Sequence, residues 1–253
     1  MKILSIGNSF SQDAHAWLHQ VAKNLGEDFY CANLYIGGCS LQHHWECYVT
    51  ASTEYLLEEN GQGVRNISLQ EALSLADWDV ITLQQASHDS GLYETYQPYL
   101  RDLFAAVTAA CPDAKIYMQQ TWAYEADSTH FAFPRYDSNQ NKMHAALLDA
   151  YQKAAADIGA DIIPVGEVID RLRQSEDVFA VANGGIPLTR DGFHLSLTFG
   201  RYAAALTWCG VLTGKDVRAC TFVPQDENGA ADKALLSVVN QAVWQVLENK
   251  KSF

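Results

Sequence analysis

The segment Lys2-Ile3-Leu4-Ser5-Ile6-Gly7-Asn8-Ser9-Phe10-Ser11 joins a short apolar run to a glycine and then to polar residues that precede a helix. The apolar run is typical of a buried strand, and apolar residues from Trp17 to Leu25 then recur at helical spacing. A strand followed directly by a helix is the first half of a βαβ unit. This segment therefore predicts a parallel sheet covered by helices.

The rest of the chain repeats this alternation. Further strands are predicted at 29–36, 79–83, 115–118 and 161–165, and helices at 99–110, 145–158, 197–212 and 231–247. The stretch 40–78 is looser, with Tyr55, Leu56 and Leu57 in helical phase. We therefore expect an α/β protein, a three-layer α/β/α sandwich with a five-stranded parallel sheet. Because no linker rich in Pro, Gly or Ser interrupts the pattern, a single domain is predicted over residues 1–253.

Composition narrows the function classes. The 253 residues carry 17 Lys+Arg and 30 Asp+Glu, a net charge of −13, without a basic stripe, which disfavours nucleic acid as a partner. No run approaches the roughly 18 apolar residues of a membrane helix, and the N-terminus lacks a signal-peptide pattern, so a cytoplasmic protein is expected. The six cysteines lack CxxC spacing. We predict no cofactor and no metal site; composition does not give the oligomeric state.

Ser9 directly follows the first predicted strand, at the sheet edge where α/β proteins bind ligands. At the start of a helix, its hydroxyl suits a nucleophile whose own N–H stabilises a developing oxyanion. The alternative is an ordinary N-cap, since Ser is among the commonest residues there. Position alone leaves both interpretations open.

Asp191-Gly192-Phe193-His194 supplies the partners that a serine nucleophile needs. The imidazole of His194 would take the serine proton, and Asp191, three residues earlier, would fix the imidazole tautomer. The alternative is that Asp191 caps a turn and His194 packs against the core. The order Ser, Asp, His matches the α/β-hydrolases, but their G-x-S-x-G elbow is absent.

Taken together, these motifs resemble the SGNH (GDSL-type) hydrolases, and most closely a bacterial branch with Gly-Asn-Ser-Phe and Asp-Gly-Phe-His motifs, related to carbohydrate acetylesterases. Gly7-Asn8-Ser9 stands where that family has Gly-Asp-Ser, Gly38 where it has its oxyanion glycine, and Asp191 to His194 where it has Asp-x-x-His. The resemblance implies a flavodoxin-like sandwich and ester hydrolysis through an acyl-enzyme, often deacetylation of sugars. It assigns catalysis to Ser9, Asp191 and His194, and the oxyanion to the Ser9 and Gly38 amides.

One block departs from the family pattern. Where the family has Gly-x-Asn-Asp, this chain has Leu83-Gln84-Gln85-Ala86. A glutamine amide offers the same N–H donor on a longer arm. Gln85 is favoured over Gln84 as the third oxyanion donor because it lies further past the strand end.

The segment after the fourth strand is rich in aromatic residues. Trp122 and Tyr124, with Phe131 and Phe133, could line the site and stack on a sugar, or could be lid packing. His88 follows the third strand and could bind substrate hydroxyls. We therefore expect a small-molecule or oligosaccharide ester as substrate. The alternatives are a thioesterase or lysophospholipase acting on a longer acyl chain, and a non-catalytic carbohydrate-binding relative.

Overall fold

The computed structural model describes residues 1–251, which form a mostly parallel sheet flanked by helices. The sheet has seven strands. In spatial order they are β4 (Gln62–Ile67), β3 (Tyr55–Glu59), β2 (Tyr30–Tyr35), β1 (Lys2–Gly7), β5 (Val80–Leu83), β6 (Lys115–Gln119) and β7 (Asp161–Ile163). The five strands β2, β1, β5, β6 and β7 are parallel to one another, whereas β3 runs antiparallel to both of its neighbours, β2 and β4. β8 (Gln225–Asp226) and β9 (Gly229–Ala230) form a separate hairpin.

The helices fall into two packed groups. They are α1 (Ser9–His15), α2 (Leu18–Asn24), α3 (Leu41–Thr50), α4 (Leu69–Leu73), α5 (Tyr99–Ala110), α6 (Gln140–Ile158), α7 (Val165–Ser175), α8 (Phe199–Thr213) and α9 (Lys233–Lys251). α8 packs against α1, α2, α7 and α9, and α5 packs against α3 and α6. Within the described residues, no helix combines the length and apolar character needed to cross a bilayer.

The prediction of a five-stranded sheet is wrong, because the sheet has seven strands. Residues 55–67, read as part of a looser stretch, form the hairpin β3–β4 at the β2 edge. Asn60 and Gly61 connect the strands with φ of 49° and 81°, the left-handed pair that a two-residue type I′ turn requires. The Asn-Gly pair is the local signal for this hairpin. The five parallel strands themselves are those predicted.

Two histidines lie wholly inside the fold. His15 Nε2 is 2.7 Å from the hydroxyl of Ser5, and burial lowers the pKa of His15 to about 3. His44 Nδ1 is 2.8 Å from the hydroxyl of Tyr55, and burial, followed by the charge of His43, lowers its pKa to about 3. Both imidazoles are therefore neutral in the folded protein at neutral pH.

The burial of His15 predicts acid sensitivity. The unfolded chain protonates this imidazole near pH 6.5, but the folded chain does so only near pH 3, so its stability contribution is full above pH 6.5 and is lost as pH falls. We expect the free energy of unfolding to fall from pH 7 to pH 5 by about 2 kcal/mol more in the wild type than in His15→Gln. Urea unfolding at the two pH values measures this difference, and an equal fall in both proteins would contradict it.

Candidate active site

Ser9 occupies the first position of α1, and its hydroxyl is not the helix cap. The cap is Asn8, whose side chain accepts a hydrogen bond from the N–H of Phe10 at 2.9 Å. Ser11 completes the cap by accepting from the N–H of Asn8 at 3.0 Å. The Ser9 hydroxyl is therefore available to a partner outside the helix.

That partner is His194. Its Nε2 lies 2.8 Å from Ser9 Oγ, and its Nδ1 lies 2.7 Å from Asp191 Oδ2. The other carboxylate oxygen of Asp191 accepts from the backbone N–H of His194 at 2.8 Å. Gly192 makes the turn with φ of +87°, where a Cβ would also come within about 3.0 Å of Ser128. The structure thus brings together the three residues that the sequence singled out.

The electrostatics of the turn favour an ionised Asp191. Its partial burial raises the pKa of this carboxyl, but the hydrogen bonds from the His194 side chain and backbone outweigh burial and lower the pKa overall. An ionised Asp191 holds a proton on His194 Nδ1, which leaves Nε2 as the acceptor for the Ser9 hydroxyl. This is the arrangement that prepares a serine for nucleophilic attack.

A buried carboxylate on α1 ties the serine helix to the histidine loop. Asp13 is fully buried and accepts from Arg190 Nη1 at 2.9 Å and from Arg201 Nε at 2.8 Å. It also accepts from the backbone N–H of Leu195 at 2.8 Å. Since Asp13 lies one helical turn after Ser9, this network fixes the loop that carries His194 relative to the nucleophile.

A second buried ion pair supports the other side of the turn. Glu125 and Arg173, each with only 3% of the side chain exposed, lie 2.8 Å apart. Thr189 donates to the same carboxylate oxygen at 3.1 Å, and the Glu125 N–H donates to the carbonyl of Gly192 at 2.7 Å. The Asp191–His194 turn is therefore held between two ion-pair networks.

Gly38 lies in the loop after β2, close to the start of α1. The Asn8 side chain donates to the carbonyl of Cys39 at 3.0 Å, which ties this loop to the residue before Ser9. Gly38 is exposed and has φ of +64°, and a Cβ at that position would meet no atom within 4 Å. The space next to the Gly38 backbone is thus open.

The structure does not place Gln85 as an oxyanion donor. Its Nε2 donates to the carbonyl and hydroxyl of Thr95, both at 3.1 Å, and its Oε1 accepts from the N–H of Leu41 at 2.9 Å. Both ends of the amide are therefore occupied in holding two loops together. Gln84 is also buried, and its Nε2 donates to Asn8 Oδ1 at 2.8 Å.

Trp122 and Tyr124 do not reach the surface, which corrects their expected role in substrate binding. Trp122 is fully buried, stacks on Phe10 with ring centroids 4.2 Å apart, and donates to the carbonyl of Phe193 at 2.7 Å. Tyr124 is fully buried, with its hydroxyl 3.0 Å from that of Ser87. Both rings contact Phe193, the residue before His194, from the core side.

The exposed rim of the site is formed instead by residues just after these two. Phe131 is 74% exposed, and its ring centroid lies 6.0 Å from that of His88, whose side chain is partly exposed. His130 packs between Phe131 and Phe193, with ring centroids at 4.6 and 4.7 Å. Burial, followed by the charges of His88 and His194, lowers the pKa of His130. Sequence reasoning did not identify His130.

The sequence from residue 2 to residue 242 matches a family described as a domain of unknown function, DUF4886. The chain belongs to this family. A solved structure of a DUF4886 family protein from Bacteroides uniformis ATCC 8492 is 34% identical, with a TM-score of 0.88 over 98% of this chain and 94% of that chain. A search of curated proteins found no match.

Other solved structures place this DUF4886 protein in a wider fold group. A proposed SGNH hydrolase from Slackia heliotrinireducens is 24% identical, with a TM-score of 0.58 over 84% of this chain and 98% of that chain. A lipase/acylhydrolase from Enterococcus faecalis is 12% identical, with a TM-score of 0.54 over 84% and 95%. At these identities the likeness is one of fold, and it confirms the expected SGNH-type fold.

The Asp13 network predicts a large stability loss on Asp13→Asn. The change leaves two guanidinium groups without their carboxylate and should lower the free energy of unfolding by about 2–4 kcal/mol. This is less than for a fully buried ion pair, because Arg190 and Arg201 are partly exposed. Asp191→Asn, at a carboxylate that is 40% exposed, should cost about 1 kcal/mol or less. Urea unfolding of both variants makes the comparison, and equal losses would contradict a special role for Asp13.

Proposed function

We propose that this DUF4886 protein is a serine carboxylic-ester hydrolase of the SGNH type. The observation that carries the proposal is the continuous hydrogen-bonded chain from Asp191 to His194 at 2.7 Å and from His194 to Ser9 at 2.8 Å. A binding protein has no need of this arrangement, because it serves to remove a proton from a hydroxyl. The proposed reaction needs neither metal nor organic cofactor.

Ser9 Oγ attacks the ester carbonyl while its proton passes to His194 Nε2. The oxyanion that forms accepts hydrogen bonds from the backbone N–H groups of Ser9 and Gly38. The intermediate collapses when His194 returns the proton to the leaving alcohol, which gives an acyl-enzyme on Ser9. Water then attacks the acyl carbonyl with His194 as general base, and the carboxylic acid is released.

The packing around Ser9 favours a short acyl group, and we assign acetyl. Phe10 and Trp122 stack behind the triad and are 2% and 0% exposed. The Phe10 ring centroid is 6.0 Å from that of His194, so close packing continues up to the triad on this side.

The exposed rim favours a carbohydrate as the leaving group. Phe131 offers a free aromatic face, which suits the apolar face of a sugar ring. His88 beside it is 26% exposed at its side chain and can hydrogen-bond a hydroxyl. The proposed substrate is therefore an acetylated sugar or oligosaccharide.

Acetate release from an activated acetyl ester tests the reaction. We expect Ser9→Ala and His194→Ala each to lower kcat by about 10³-fold or more, since either change removes a member of the triad. Ser237→Ala, at an exposed serine on α9, should match the wild type. An unchanged rate in Ser9→Ala would refute the proposal.

Acyl and sugar preferences test the substrate class separately. The wild type should hydrolyse acetyl esters faster than octanoyl esters of the same alcohol. Phe131→Ala should raise KM for an acetylated oligosaccharide by about 2–10-fold, the loss of one aromatic contact, while KM for a small acetyl ester stays the same. A preference for octanoyl esters, or equal effects of Phe131→Ala on both substrates, would contradict the assignment.

A further inference from the structure

Helix α3 and the turn that leads from it to β3 bring together three side chains of metal-binding chemistry. They are His43, Cys47 and Glu54, whose ligand atoms all lie within 4.8 Å of one another. His43 and Cys47 are one helical turn apart on α3. Ala51 ends that helix in the left-handed conformation with φ of 51°, and the chain then reverses so that Glu54 returns to the same helix face.

Two distances within this cluster are close to those around a tetrahedral metal ion. His43 Nε2 lies 3.7 Å from Cys47 Sγ and 3.4 Å from Glu54 Oε2. With Zn–S near 2.3 Å and Zn–N and Zn–O near 2.0–2.2 Å, tetrahedral ligand atoms are about 3.3–3.6 Å apart. His43 Nε2 therefore lies near both the Cys47 thiol and the Glu54 carboxylate, at about the separations expected if all three bound one ion.

Neighbouring groups orient two of the three ligands. The second ring nitrogen of His43 lies 3.4 Å from Glu46 Oε2, an arrangement that fixes the proton on Nδ1 and leaves Nε2 free to bind. The Ser52 hydroxyl donates to Glu54 Oε1 at 2.6 Å, which leaves Oε2 for the shared position. Metal-binding histidines commonly have such a carboxylate on the opposite ring nitrogen.

We propose that His43, Cys47 and Glu54 form a binding site for Zn²⁺, with water as the fourth ligand. A thiolate, an imidazole and a carboxylate are ligands that this ion takes together, and their two negative charges balance it. His43 and Glu54 are 38% and 57% exposed at their side chains, so an ion can enter from solvent. The ion would join α3 to β3, directly after the loop that carries Gly38.

The contacts of His43 also have a second explanation. His43 could simply form salt bridges with Glu46 and Glu54, an arrangement that does not require the thiol.

Co²⁺ provides a direct test because thiolate ligation and tetrahedral geometry have distinct absorption spectra. The full chain, stripped with a chelator, is titrated with Co²⁺ and then with Zn²⁺. We expect one Co²⁺ per chain, a thiolate-to-cobalt charge-transfer band, intense visible bands, and loss of both on Zn²⁺ addition. Absence of the charge-transfer band, or only the weak spectrum of octahedral cobalt, would overturn the proposal.

Variants identify the ligands. Cys47→Ser should lose the charge-transfer band, whereas Cys111→Ser, at the end of α5, should keep it. Because Cys47 is buried and its replacement could disturb folding, Glu54→Gln at an exposed position is the second test, with an expected loss in affinity of about 10-fold or more. Zn²⁺ should raise the Tm of the wild type but not of Glu54→Gln. An unchanged affinity in Glu54→Gln would overturn the site.

The site is independent of the proposed esterase. Ser9→Ala should bind Co²⁺ as the wild type does, because Ser9 contributes nothing to the cluster. A failure of metal binding with intact ester hydrolysis, or the reverse, therefore separates the two proposals.

Discussion

The buried carboxylate of Asp13 is the interaction on which the candidate site depends. Ser9 and His194 are 185 residues apart, so local sequence cannot hold their side chains in contact. Asp13 lies one helical turn after Ser9 and accepts from two guanidinium groups and the N–H of Leu195, all from the segment that carries or follows the histidine. Any shift of this loop would leave a buried charge without its partners, which is costly. The geometry of the triad therefore depends on the buried ion-pair network around Asp13.

Sequence reasoning succeeds where a local rule decides the structure. The position of Ser9 follows from a strand that ends at Gly7, and the pairing of Asp191 with His194 follows from their separation on one turn. The five parallel strands follow from the alternation of apolar runs. The hairpin β3–β4 has an equally local signal in Asn60-Gly61, but the apolar residues before it also fit a helical period. In such short runs, periodicity does not distinguish a helix from a strand, and the Asn-Gly turn is the feature that identifies the hairpin.

Side-chain direction is the part that the sequence does not determine. Gln85, Trp122 and Tyr124 all follow strands at the correct edge of the sheet, yet each points inward to partners from distant segments. In an extended chain, successive side chains point in opposite directions. The position of a residue after a strand therefore predicts which part of the protein it lies in, but not which residues its side chain contacts. The same holds for Glu54, which joins His43 and Cys47 only because the chain reverses after α3.

The central claim is that Ser9 is an activated nucleophile, and covalent trapping tests this without knowledge of the natural substrate. A fluorophosphonate reacts with a serine that has an operating base and an oxyanion site. Mass spectrometry of the labelled and digested protein should show one adduct, on the peptide that contains Ser9, and His194→Ala should lower the labelling rate by about 10³-fold. Absence of an adduct on Ser9, or equal labelling of wild type and His194→Ala, would contradict the account.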